Sequence, residues 1–186
     1  MQFHTTIHQR SNCRQYASLH SNNKRVHDRY RYLSMKDQFS RRHRFSEWPN
    51  AEVPAIAAGV YAIWEGDVLV YCGMSGRGIE SAKHKKKYGL ITRLSSHASG
   101  RLSGDQFCVY VANRLVIPAL TSEQLPKFAT GELMLDVLTK SYINERFEYQ
   151  FMCVQTSLNA FELEMRCRSG EVFNMKPLLN PTKPSR

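Results

Sequence analysis

Two apolar, β-rich runs on either side of a short turn constrain this chain more than any other feature. Gly59-Val60-Tyr61-Ala62-Ile63-Trp64 reads as a strand, Glu65-Gly66-Asp67 supplies turn chemistry, and Val68-Leu69-Val70-Tyr71-Cys72 reads as the returning strand. Such a pattern predicts a β-hairpin. Side chains alternate along a strand, so Tyr61 and Ile63 are expected on one face, and Leu69 and Tyr71 together on the partner. Taken alone, both tyrosines are explained by core packing, which strands favour for aromatics.

What would pack against the hairpin is also written in the pattern. Leu90, Leu94 and Ala98 recur at helical spacing and predict a short helix ended by Ser99-Gly100. Arg93 and His97 lie one turn apart on an adjacent face of it. Gln106–Val111 reads as a strand. A helical stretch begins at Ser122 with a break at Pro126, Leu133–Ile143 reads as a second helix, and Phe147–Val154 as a strand. Thr156 or Ser157 caps a helix running to about Ser169, with Gly170 as its stop and Ala160, Leu163 and Cys167 facing inward. The expected fold is α/β: a central, mainly antiparallel sheet of three or more strands flanked by helices, with a strand–helix insertion over about 100–146. One domain over 47–186 is expected to follow a basic, disordered N-terminal arm over 1–46.

Charge narrows the partners. The 186 residues carry a formal net charge of +10, which points to an anionic partner and most readily to nucleic acid. Residues 1–50 hold ten Lys or Arg against three acidic residues, so most of the excess lies in the arm, where a solvated tail explains it equally well. Five of the seven histidines also lie there, at irregular spacings that do not make a metal cluster. Met35 is a second candidate start of translation, which an intact-mass measurement decides. A second basic run, Lys83, Lys85, Lys86 and Lys87, follows the hairpin, with Arg77 just before it. These five are candidate backbone contacts, and a solvated loop is the alternative.

Other classes are excluded or disfavoured. The glycine-containing stretch Gly73–Gly78 lacks the GK[ST] ending of a phosphate-binding P-loop. The five cysteines are scattered without a CxxC pair, so neither a zinc ribbon nor a disulfide framework is expected, and reduced thiols in a cytoplasmic protein fit better. No apolar run is long enough to span a membrane, and no membrane partner is expected.

Taken in order, the motifs resemble the GIY-YIG nuclease superfamily. Its name-giving pair corresponds to Gly59-Val60-Tyr61 and Tyr71-Cys72-Gly73. Its helix-borne arginine corresponds to Arg93, the histidine of some restriction-like members to His97, its metal-binding glutamate to Glu164 after Leu163, and its closing Pro-x-x-Asn element to Pro177-Leu178-Leu179-Asn180. The resemblance runs from about Gly59 to Asn180. Cys72 stands where isoleucine is usual, the insertion is extra, and the interval from Glu164 to Asn180 is long, which leaves Glu162 and Glu171 as rivals for the metal.

The resemblance implies a compact GIY-YIG-type fold and a Mg²⁺- or Mn²⁺-dependent endonuclease acting on DNA, with a homodimer as one way to cut both strands. Phosphodiester hydrolysis builds negative charge on the phosphoryl oxygens. Arg93 suits bidentate phosphate binding, and Glu164 suits a hard divalent cation; a surface pair with Arg168 is the plainer account of Glu164. Tyr61 is implied as the base, with positive charge from Arg93 and the metal needed to ionise it, and Tyr71 as the orienter of water or phosphate. His97 relays the proton or caps its helix, and Asn180 binds phosphate or braces the site. A non-catalytic nucleic-acid-binding module on the same scaffold is the alternative.

Overall fold

The computed structural model describes residues 35–81 and 87–181. The arm up to residue 34 and Lys83, Lys85 and Lys86 lie outside the described residues. Five strands form one mixed sheet: β1 (His43–Arg44), β2 (Ile56–Glu65), β3 (Val68–Ser75), β4 (Tyr88–Gly89) and β5 (Glu148–Val154). Their order is β1-β5-β2-β3, all antiparallel, and β4 joins β2 in parallel. Every residue of β2 between Ile56 and Glu65 is buried. That explains why it reads as a near-continuous apolar run rather than an alternating one.

The hairpin forms as expected, but its alternation breaks. The register shifts between Ile63 and Trp64, so Ile63 faces Tyr71 while Trp64 faces Leu69. Val70 is the extra residue of a β-bulge. Leu69 therefore turns to the opposite face from Tyr71, against the expectation that they share one. Leu69 packs with Val60, Ala62, Trp64 and Cys72 on one side, while Tyr71 packs with Tyr61, Ile63 and Val70 on the other.

Helices cover both faces. On the Tyr61 side lie α1 (Leu90–Ser99), α2 (Gln106–Val111) and α4 (Leu135–Arg146), with the short, exposed α3 (Leu125–Thr130) between α2 and α4 in the chain; α5 (Ser157–Ser169) packs on the other face against β2, β3 and β5. The stretch Gln106–Val111, expected as a strand, is helical and runs on into a π-helical turn over Ala112–Val116. The Asp105 side chain accepts from the amides of Phe107 and Cys108 and caps it. Phe107, Cys108 and Val111 then fall on one buried face. Pro126 does not break a helix; it sits in the first turn of α3, where its missing N–H costs nothing. Thr156 caps α5 through the Asn159 amide, and Gly170, at φ +94°, ends it in the left-handed region.

Residues 35–46, assigned above to the arm, belong to the fold. Phe39, His43 and Phe45 are buried, and β1 pairs with β5. Cys72, Cys108 and Cys167 are buried free thiols, as expected, whereas Cys153 is disulfide-bonded. Among the described residues no helix is long and apolar enough to cross a membrane.

Candidate functional site

The motif glycines have mechanical reasons. Gly73 lies opposite Tyr61 in the β2–β3 register. A Cβ on Gly73 would fall on the Tyr61 hydroxyl, so only glycine leaves that hydroxyl its place. Gly59 does the same for α1: a Cβ there would meet the Met152 carbonyl and lie 2.7 Å from Leu90 Cδ1. Together they let Tyr61 point across its own sheet face towards α1.

There it meets a buried chain of hydrogen bonds. The Tyr61 hydroxyl lies 2.8 Å from His97 Nε2, and His97 Nδ1 lies 2.7 Å from Asp105 Oδ2. Asp105 also accepts from Ser96 Oγ at 2.6 Å and, through Oδ1, from the amides of Phe107 at 3.1 Å and Cys108 at 3.3 Å. An ionised carboxylate only accepts, so it assigns the proton to Nδ1 and leaves Nε2 to accept from the Tyr61 O–H. Tyr61, His97 and Asp105 are each 2% exposed.

Burial and hydrogen bonding set the protonation states. Desolvation would raise the Asp105 carboxyl, but the donors from His97, Ser96 and the Cys108 amide outweigh it and hold it at about 2. Desolvation pushes His97 below its ordinary value against the opposing pull of Asp105, so the imidazole is neutral. Tyr61 is pushed well above its ordinary value by burial and by Tyr71, Asp105 and Glu164, and only Arg93 draws it down. Arg93 alone therefore does not ionise Tyr61, and without a metal the resting group is the phenol. His97, Asp105 and Cys108 offer ligand atoms within 4.8 Å of one another, so this buried group could bind a metal ion. Cys108 Sγ lies 3.7 Å from the His97 carbonyl, and burial keeps its thiol protonated.

Across the tyrosines, α5 brings up the second half. Tyr71 is half-buried, its ring centroid 6.4 Å from that of Tyr61, and burial together with Glu164 and Asp105 raises its hydroxyl to about 12. Glu164 Oε1 lies 3.6 Å from Arg168 Nη1, the two side chains being 13% and 16% exposed, so the i, i+4 pair exists but is not a surface pair. Burial raises the Glu164 carboxyl, and Arg168 and Arg77 oppose that rise. Of the rivals, Glu162 is exposed and Glu171 is tied to Arg166 at 2.6 Å.

Asn180 is a brace. Its Oδ1 accepts from the Cys72 amide at 2.7 Å and its Nδ2 donates to the Cys72 carbonyl at 2.8 Å. The amides of Leu178 and Leu179 donate to the Leu69 and Val70 carbonyls, so this segment runs along the edge of β3. Asn180 thus holds the strand under Tyr71, and the second N–H of its amide is the group left for a ligand. Arg93, one turn before His97, is exposed, as are Arg77 and Lys87.

Two residues of the site escaped the sequence reading. Asp105 carries a usable signal, an acid placed before apolar residues at 107, 108 and 111, which marks a helix N-cap. Arg168 was considered only as a partner for Glu164, and nothing local reveals its depth. The chain matches no family model, no curated protein and no solved structure.

Proposed function

We propose that this protein is a metal-dependent endonuclease of the GIY-YIG type that hydrolyses phosphodiester bonds in DNA. The observation that carries this reading is the Tyr61–His97–Asp105 chain, flanked by the exposed Arg93 on α1 and the half-buried carboxylate of Glu164 on α5. A phenol, a neutral imidazole and an ionised carboxylate in line form a proton relay, by the same logic that joins hydroxyl, histidine and aspartate in hydrolases.

The chemistry then runs as follows. Arg93 holds the phosphate and balances charge developing on its oxygens. As water attacks phosphorus, its proton passes to the Tyr61 oxygen while the Tyr61 proton moves to His97 Nε2. The imidazolium is stabilised by Asp105. The bond from phosphorus to the leaving sugar oxygen breaks, and that oxygen takes a proton from solvent. Tyr61 needs no standing ionisation in this relay, which its burial opposes. Glu164 is the carboxylate that would hold Mg²⁺ or Mn²⁺: it lies within electrostatic reach of both tyrosines, whereas Glu162 and Glu171 are exposed. A divalent ion there would supply further neutralisation of the transition-state charge.

Two observations favour the second reading, a nucleic-acid-binding module without catalysis. Tyr61 is nearly inaccessible, and Glu164 spends its carboxylate on Arg168. Incubation with supercoiled plasmid and with branched DNA separates the two. Under the nuclease reading, cleavage requires Mg²⁺ or Mn²⁺, stops with EDTA, and falls by roughly 10²–10⁴-fold in Tyr61→Phe, the usual contribution of a general base. Salt-sensitive binding with no metal-dependent nicking establishes the second.

A further inference from the structure

A cavity of about 460 Å³ opens beside the relay, between the end of β3 and the first turns of α1. Ser75, Arg77, Gly89, Thr92, Arg93 and Ser96 are among its walls; Tyr61, Tyr71, His97 and Glu164 are not. Its glycine wall is obligatory in part: Gly89 has φ +83° and its α-carbon faces the Ala57 carbonyl so closely that no side chain fits. At ~30 Å³ per water, the space corresponds to about fifteen water molecules. That is room for a phosphate with its sugars rather than for a single small ion, and it lies within the ~300–1,000 Å³ typical of ligand pockets.

The walls of this cavity carry two positive charges and no acid, and Glu164, outside them, reaches Arg77 only through space. Arg41, Arg146, Arg166 and Arg168 each pair with a carboxylate. Among the described residues, the guanidinium groups of Arg77 and Arg93 make no ion pair and no hydrogen bond, and no Asp or Glu lines the walls. Ser96 and Thr92 direct their hydroxyls to Asp105 and to the Gly89 carbonyl, so the walls leave the two guanidinium groups as the strong donors. Two like charges facing one concavity repel each other, and an anion between them removes that cost. Guanidinium matches phosphate in geometry, and its five donors can serve two phosphates at once.

We propose that this cavity is a second phosphate site, which holds the backbone phosphate next to the one that is cut. Arg77 is its own ligand, and Arg93 is shared between the two phosphates. This rests on the nuclease reading for its register along the strand. The ligand class is a continuous nucleic-acid strand, gripped by its backbone without reading sequence.

The test needs no cleavage, so its failure and a failure of the nuclease reading are distinguishable. Binding of a fluorescent hexathymidylate to the full chain is measured in EDTA across a salt series. Arg77→Gln is expected to weaken binding about tenfold, the scale of one charge-assisted hydrogen bond, and to flatten the salt dependence by about 0.7, one phosphate contact on a single strand. Arg77→Lys keeps the salt slope. Arg101→Gln, which removes an exposed charge outside the cavity, leaves both quantities unchanged. Wild-type affinity and slope in Arg77→Gln, or an equal loss in Arg101→Gln, overturns the proposal. Displacement of the oligonucleotide by an equal concentration of inorganic phosphate or thymidine 5′-monophosphate also overturns it, since the cavity would then be a site for free phosphate.

Discussion

The two halves of the candidate site are built on opposite terms. On the α1 side, His97 and Asp105 are each 2% exposed, and both nitrogens of the ring and both oxygens of the carboxylate are hydrogen-bonded. On the α5 side, Glu164 and Arg168 are 13% and 16% exposed and meet at 3.6 Å, too far for a good hydrogen bond. The first half has one arrangement and is pre-organised. In the second, Arg168 is anchored by donating Nη2 to the Pro181 carbonyl at 2.9 Å, but Glu164 meets it only as an ion pair, which must be given up before Glu164 can serve another cation. Under the proposed nuclease reading, a pre-organised relay beside an adjustable carboxylate suits a fixed proton path and a metal that would bind together with substrate.

The sharpest way to break this contrast is Asp105→Asn. Asparagine keeps an oxygen for the helix cap, so α2 should survive. Its amide, however, presents a donor to His97 Nδ1 and drives the proton to Nε2, where it faces the Tyr61 oxygen and stops the relay. In a serine protease the same change costs about 10⁴-fold through the wrong tautomer. If the proposed nuclease reading holds, the expected outcome is a fall in kcat of roughly 10²–10⁴-fold, with the Mg²⁺ concentration for half-maximal rate unchanged because the α5 half is untouched. A kcat within twofold of wild type would remove Asp105 from the mechanism.

A smaller effect sharpens the boundary between the halves. Gly73 follows Tyr71 and Cys72 on β3 but serves the relay, since its missing Cβ makes space for the Tyr61 hydroxyl. Gly73→Ala should cost about 1–3 kcal/mol in denaturant unfolding, the usual cost of overpacking. It should also lower kcat by moving Tyr61 off His97. If stability falls and kcat does not, the Tyr61–His97 contact is structural only.

Parts of this arrangement were legible in advance and others were not. The hairpin and α5 were readable because each carries its own local signals: β-rich runs around Gly66, and Thr156 and Gly170 at the helix ends. Gln106–Val111 misled because five successive residues of phenylalanine, cysteine, valine and tyrosine satisfy a strand as well as a short buried helix; Asp105 was the deciding residue, and it lies just outside the run. The bulge at Val70 left no mark in composition, so Leu69 was placed on the wrong face. The spacing of Arg93 and His97 put them on one side of a helix, but spacing says nothing of depth, and only His97 is buried. Asn180 bonds to a backbone 108 residues away, a pairing that no local pattern contains.

The smallest expected effect follows from the opposite titration of the two halves. His97 and Asp105 lie below their ordinary values of 6.5 and 3.8. The unfolded chain therefore takes up their protons first as pH falls. Stability from the relay half is present above 6.5 and declines below it, with a further loss from 3.8 down towards 2. Glu164 lies above its ordinary value of 4.5. Here the folded chain takes up the proton first, so acidification from neutral pH towards 4.5 relieves a buried charge and stabilises. Glu164→Gln imitates the protonated form. Its Tm should exceed that of wild type at pH 8, and the difference should shrink as pH approaches 4.5, where wild type becomes neutral as well. In a chain of this size ~1 kcal/mol moves Tm by about 2–4 °C, so ordinary melts resolve the trend. A difference in Tm that stays constant from pH 8 to pH 4.5 would mean that Arg168 fully compensates Glu164, and that the α5 half is as settled as the relay.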